Sequence, residues 1–119
     1  MDRPATLRDF RPWGFFDSFA FEGACCVKIL TCLPGAALSL QKHRLRDELW
    51  VALDGGAMVE LDGETLRPAR GQELWLPRGS VHRLLCDGSN PGPVRVLEIS
   101  YGCFDENDIE RLEDVYGRS

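Results

Sequence analysis

Apolar and polar residues alternate with a period of two along most of the chain, in short runs closed by Gly, Pro and Asp. That period puts successive side chains on opposite faces of a β-strand. Ala24 to Leu33 is rich in β-formers and stops at Pro34-Gly35, Leu38 to His43 alternates, and Glu48 to Leu53 runs into Asp54-Gly55-Gly56. Ala57 to Leu61 and Glu64 to Leu66 flank Asp62-Gly63, a dipeptide suited to a two-residue hairpin. Gln72 to Leu76 ends at Pro77-Arg78-Gly79, Val81 to Cys86 ends at a turn-rich loop from Asp87 to Pro93, and Val94 to Tyr101 is the last strand. About eight short strands with turn residues between them predict an antiparallel sandwich or small barrel rather than βαβ units. The period changes only near the end of the chain. Ile109, Leu112, Val115 and Tyr116 fall at helical spacing behind Asp105 as N-cap, which predicts a terminal helix over Glu106 to Tyr116.

Composition narrows this picture. A chain of 119 residues with 44% hydrophobic and 28% charged positions fits one ordinary globular domain. Fourteen Lys and Arg against 19 Asp and Glu give a net charge of −5, and the basic residues are scattered, which argues against nucleic acid as a partner. No apolar run approaches the ~18 residues of a membrane span. The start, MDRPATLRDF, lacks the basic-then-apolar order of a secretion signal, so the expected location is cytoplasmic. Cys25, Cys26, Cys32, Cys86 and Cys103 form neither a C-x-x-C pair nor a disulfide framework and read as free, buried thiols.

The candidate chemistry sits in two blocks. One reads Gly35-x5-Gln41-x-His43-x4-Glu48-x6-Gly55 and the other Gly71-x5-Pro77-x-Gly79-x2-His82. Gln41 and His43 share one face of a strand, and Glu48 and His82 are expected from neighbouring strands. An amide oxygen, two imidazoles and a carboxylate make an N2O2 set suited to one divalent first-row ion (Zn, Mn, Ni, Co or Fe), with positions left for water or substrate. The simpler alternative is a pair of hydrogen-bonded histidines with Glu48 as a half-exposed strand carboxylate. The chain's only two histidines both lie in these blocks.

These blocks resemble the paired motifs of the cupin superfamily, whose fold is a jelly-roll barrel or double-stranded β-helix. The nearer resemblance is to the type II mannose-6-phosphate isomerase cupin, often joined to a GDP-mannose pyrophosphorylase domain. It covers almost the whole chain, through Arg11-Pro12-Trp13-Gly14, Val27-Lys28, Pro34-Gly35, Leu38-Ser39-Leu40-Gln41 with His43, and Arg46-x-Glu48-x-Trp50. It continues through Pro77-x-Gly79-x-x-His82-Arg83-Leu84 and Asp108-Ile109-x-Arg111-x-x-Asp114-x-Tyr116-Gly117-Arg118. The resemblance implies an all-β cupin domain covering almost the whole chain; with the strand and helix readings above, the expected division of residues 1–119 is an N-terminal arm and edge strands over 1–23, the barrel over 24–102, and a short C-terminal α-helix and tail over 103–119. Four positions depart from the family pattern: Leu45 and Leu49 stand where histidines are common, Cys86 replaces Asn and Ser100 replaces Gln. Leu45, on a continued strand, is expected to make the cavity more apolar.

As an isomerase, the domain would interconvert a mannose and a fructose phosphate through an enediolate stabilised by the metal as Lewis acid, which requires a base and a phosphate anchor. Glu98, on one strand face with Val94, Val96 and Ser100, is the candidate base, with Lys28 as the competing one. Arg46, Arg111 and Arg118 are the candidate phosphate anchors by resemblance, against the alternative that they are solvated surface residues. Two other function classes stay open: a metal cupin acting as an oxygenase or lyase on a less polar molecule, and a non-catalytic sugar-binding or regulatory cupin. Trp13, Trp50 and Trp75 read as core or interface residues. The aromatic segment Phe10 to Phe21 either covers its own barrel end or meets a second copy, and the resemblance implies a homodimer.

Overall fold

The computed structural model describes residues 6–20, 25–102 and 108–116. Eleven strands are formed among them: β1 (Leu7–Arg11), β2 (Gly14–Ala20), β3 (Cys25–Cys32), β4 (Leu40–Lys42), β5 (Arg46–Ala52), β6 (Ala57–Leu61), β7 (Glu64–Leu66), β8 (Glu73–Leu76), β9 (His82–Cys86), β10 (Val94–Gly102) and β11 (Glu110–Glu113). They make two antiparallel sheets, one in the order β1-β2-β3-β10-β5-β8 and the other β11-β4-β9-β6-β7. The eight expected strands are present with ends shifted by a residue or two. Asp62 and Gly63 turn the β6–β7 hairpin with φ of 48° and 85°, as a two-residue turn requires.

The expected C-terminal helix is a correction. Within the described part of that segment, Glu110 to Glu113 form β11, paired with β4 through Glu110↔Lys42 and Arg111↔Gln41. Leu112 and Val115, two residues of the apparent helical stripe, are 47% and 63% exposed, so they had no core to face. The short β4 instead offers an open edge, and pairing with it satisfies backbone groups that a short helix on the surface would leave frayed.

Both sheets turn a buried face inward, and the barrel interior is divided along its length. In β10, Val94 and Val96 are followed on the same face by Glu98 and Ser100. The register carries this division across the sheet: Val96 lies opposite Leu30 and Ala52, Glu98 opposite Lys28 and Trp50, and Ser100 opposite Cys26 and Glu48. One end of the barrel is therefore an apolar core of Leu30, Cys32, Val59, Leu76, Leu84, Cys86, Val94 and Val96, while the other end buries charge. Cys26, Cys32 and Cys86 are buried free thiols, and burial pushes the Cys32 thiol up to about 12. Cys103 lies outside the described residues.

The N-terminal aromatics split between the two faces of β2. Trp13 and Phe16 are buried, whereas Phe10 is 73% exposed against Phe15 on the outside. The outer face of the large sheet is apolar as well, with Val27, Ile29, Leu49, Val51, Leu97 and Ile99 only half-buried and Trp75 exposed against Tyr101. Trp75 is thus not a core residue, unlike Trp13 and Trp50. No helix among the described residues is long and apolar enough to cross a membrane.

The β1–β2 turn depends on a glycine. Gly14 has φ of 146°, and a Cβ there would lie 2.0 Å from the Thr31 carbonyl oxygen, a rigid backbone atom. Gly63 has a positive φ but nothing within 4 Å. Gly14→Ala is expected to cost about 2–4 kcal/mol in urea unfolding and Gly63→Ala about 1 kcal/mol, and equal losses would show that the close approach is unimportant.

Candidate metal centre

Three strands and one loop converge at the polar end. Glu48 projects inward from β5 of the large sheet, and His82 comes from β9 of the small one. They therefore meet across the barrel, from opposite sheets, and not from neighbouring strands as the sequence suggested. His82 does neighbour Gln41, its register partner on β4. His43 lies just past the end of β4, buried, and Arg46 opens β5 beside it.

The nitrogen and oxygen atoms offered by His43, Glu48 and His82 all lie within 4.8 Å of one another. His82 Nε2 is 3.1 Å and His43 Nε2 3.9 Å from Glu48 Oε1. The second oxygen of Glu48 faces Arg46 Nε at 3.3 Å and accepts the Ser100 hydroxyl at 3.3 Å. His43 Nδ1–H donates to the Asp108 carbonyl at 2.6 Å, which leaves Nε2 as the lone-pair nitrogen facing the cluster. Arg46 Nη2 donates to that nitrogen at 3.2 Å. The amide nitrogen of Gln41 donates to the buried Ser39 hydroxyl at 2.9 Å, so its carbonyl oxygen is the end on offer.

Burial raises the Glu48 carboxyl, but the hydrogen bond and charge of His82, followed by His43 and Arg46, outweigh it and hold the group down at about 2. His43 is lowered, mainly by burial, so it is neutral near pH 7 and able to ligate. Glu98 moves the other way. Burial and the neighbouring charge of Glu48 push it up to about 8 against the opposing pull of Lys28 and Arg46. Two interior carboxyls are thus driven apart, Glu48 held ionised and Glu98 raised to where it can both accept and release a proton near neutral pH.

Apart from the two imidazole nitrogens themselves, no donor reaches the buried Glu48 Oε1, although an acceptor in that position normally has one. An ionised oxygen and two imidazole nitrogens converging there suit a divalent cation, with His43, Glu48 and His82 as the set that could hold it and Gln41 beside them.

This cluster opens into a cavity of about 150 Å³ lined by Arg11, Trp13, Phe16, Lys28, Leu30, Leu38, Gln41, His43, Arg46, Trp50, His82, Arg83, Glu98, Ile109 and Arg111. The expected apolar cavity is corrected here. Leu45 lies in the bend after β4 and is 46% exposed, and Leu49 alternates onto the outer sheet face opposite Trp75 and Ile99. Cys86 sits at the apolar end. Of the four departures from the family pattern, only Ser100 touches the cluster, through Glu48. With Leu45 and Leu49 outside it, nothing in the cavity lining favours a less polar substrate on their account.

The other site candidates are distributed as follows. Glu98 and Lys28 face each other across β10 and β3 and both line the cavity. Arg111 lines it from β11, and Arg46 lines it while engaged with Glu48 and His43. Arg118 lies outside the described residues. Sequence reasoning overlooked Arg11, Arg83 and Asp108. Asp108 is the most consequential, because its carboxylate accepts the backbone N–H groups of Arg44 and Leu45, both at 2.9 Å, while its carbonyl orients His43. Nothing in local spacing links residues 43 and 108, although Asp108 does open the C-terminal stretch that carries the resemblance.

Residues 4–114 match the family described as mannose-6-phosphate isomerase C-terminal. The chain belongs to that family. It is 45% identical over 113 residues to the alginate biosynthesis protein AlgA of Pseudomonas aeruginosa, covering 92% of this chain and 23% of that protein. It is 38% identical to the mannose-1-phosphate guanylyltransferase ManC of Salmonella typhimurium, covering 92% of this chain and 22% of that one. The family member thus spans about a quarter of the length of these relatives. Among solved structures, the capsular polysaccharide assembling protein CapF of Staphylococcus aureus superposes with a TM-score of 0.76 at 18% identity, over 92% of this chain and 35% of that chain. KdgF from Halomonas gives 0.72 at 18% identity, over 87% of this chain and 91% of that one. The fold is a cupin barrel.

Replacing His43, Glu48 or His82 by Ala is expected to abolish stoichiometric metal in elemental analysis of the purified protein. Asp108→Ala, which releases His43 and the loop behind it, is expected to weaken metal affinity about 10–100-fold in chelator competition without removing a ligand. Unchanged metal content in the His43 and Glu48 variants would contradict this site.

Proposed function

We propose that the chain is a metal-dependent sugar-phosphate isomerase interconverting mannose 6-phosphate and fructose 6-phosphate. The observation that carries this reading is a buried His43, Glu48 and His82 cluster opening onto a cavity that also holds a second carboxyl, Glu98, and several cations. A divalent ion bound by His43, Glu48 and His82, with Gln41, supplies a Lewis acid for the substrate's carbonyl and hydroxyl oxygens. Family membership supports the substrate class.

The chain's own residues supply the remaining requirements. Moving a proton between C2 and C1 needs one group that takes it from one carbon and returns it to the neighbouring one. Glu98 fills that role: it faces the cavity, is 6% exposed and is held between Lys28 and Trp50 by strand register. Arg46, which also lines the cavity, fixes the far oxygen of Glu48. Trp50 packs edge-on against the His82 ring at 5.5 Å and keeps that ring in place.

Metal-loaded protein is expected to convert mannose 6-phosphate to fructose 6-phosphate. Glu98→Gln should retain its metal while kcat falls about 10²–10⁴-fold. Tight sugar-phosphate binding with no turnover by the wild type would instead support a binding cupin.

We also propose a homodimer that buries the apolar outer face of the large sheet. Charges at this face pair within the chain, in Arg8–Asp17, Arg78–Asp47 and Arg95–Asp54, so two copies can meet there without like-charge repulsion. Sedimentation at micromolar concentration should give a dimer that Leu97→Asp converts to monomer, whereas a monomeric wild type would refute it.

A further inference from the structure

Two cations share one aromatic ring on the cavity wall. The Arg11 guanidinium carbon lies 5.0 Å and the Lys28 ammonium 4.6 Å from the centroid of Phe16. Strand register brings them there. Arg11 pairs with Gly14, two residues before Phe16, and Lys28 pairs with Ser18, two residues after it, so both are diagonal neighbours of Phe16 on its inward face. All three line the same cavity as His43 and His82.

The cavity lining carries five Lys and Arg residues against one carboxyl, Glu98. Three of those cations have a carboxyl group close by: Arg46 holds Glu48 at 3.3 Å, Arg83 is held by Glu60 at 2.8 Å and Glu113 at 3.5 Å, and Lys28 faces the raised carboxyl of Glu98 across β3 and β10. Arg11 has a weaker counter-charge, with Asp9 4.0 Å away and both side chains in contact with solvent. Two cations beside one ring repel each other, and a concave wall of that sign concentrates anions. The ring offers no hydrogen bond of its own but keeps both cations pointed into the cavity.

We propose that Arg11 and Lys28, set on Phe16, form the phosphate subsite, taking a dianionic phosphate monoester whose sugar extends toward His43, His82 and Gln41. A phosphate presents three acceptor oxygens that a guanidinium fork and an ammonium can meet together. The subsite rests on the isomerase reading for the identity of the sugar, while the anion class rests on the charges alone. It assigns Lys28 to phosphate binding and leaves Glu98 to move the proton. It also adds Arg11, a residue at the start of the chain, to the cations facing the substrate.

Inorganic phosphate titrated calorimetrically into the full-length protein tests this directly, with Arg11→Met, Lys28→Met and Arg11→Lys as variants. Wild type should bind phosphate, and each Met variant should weaken binding at least about tenfold, with Arg11→Lys recovering part of the loss. In the isomerase assay, the Met variants should raise KM for mannose 6-phosphate by a similar factor at unchanged metal content. Arg11 is exposed, so its substitution leaves the core intact even if Lys28→Met fails to fold. Phosphate binding that depends on Arg11 and Lys28 in a protein without turnover would keep the subsite and remove the isomerase reading. Normal turnover with KM and phosphate affinity unchanged in Arg11→Met would overturn the subsite alone, as would a wild type that does not bind phosphate.

Discussion

A carboxylate sealed from water costs several kcal/mol unless its charge is met, and Glu48 is only 1% exposed. Its charge is met from both sheets and one loop: His82 from the small sheet, Arg46 on its own strand, Ser100 on the adjacent strand and His43 from the bend. Each of these groups is in place only if the barrel is closed in this register. A slip of one residue in β5 would turn Glu48 outward and bring Asp47 or Leu49 inward. The polar end of the barrel therefore has one arrangement that satisfies its charges, and that arrangement also aligns two imidazoles with a carboxylate oxygen.

The other end makes this tolerable. Val59, Leu84, Val94, Cys32, Leu76 and Val96, each at most 1% exposed, supply the apolar burial that the charged end cannot. The division follows directly from sequence along single strands: Val94 and Val96 before Glu98 and Ser100 in β10, and Leu84 and Cys86 after His82 on the inward face of β9. Structure and chemistry share the same strands, separated by about two residues of rise. The cavity opens at the charged end, where five Lys and Arg residues line it although the chain as a whole is acidic.

How much of this was legible depended on whether the signal was local. Strict alternation gave the eight central strands, and the Gly-bounded blocks singled out Gln41, His43, Glu48 and His82 before any contact was known. The terminal segment misled because Ile109, Leu112 and Val115 have helical spacing, while the deciding partner, β4, lies some 70 residues earlier. Leu45 and Leu49 were misplaced for a related reason. The strand ends at Lys42, so Leu45 does not continue its face, and Leu49 alternates outward between Glu48 and Trp50. Asp108 and the Arg11–Phe16–Lys28 stack depend on contacts between distant segments, which no spacing within one segment records.

The central claim is that the closed barrel builds a metal centre from His43, Glu48 and His82. Anomalous diffraction from crystals of the metal-loaded protein, collected on both sides of the metal's absorption edge, tests it most directly. The account predicts a single strong anomalous peak bonded to both imidazole Nε2 atoms and to Glu48 Oε1. A fully loaded protein whose peak lies away from these three residues would contradict it.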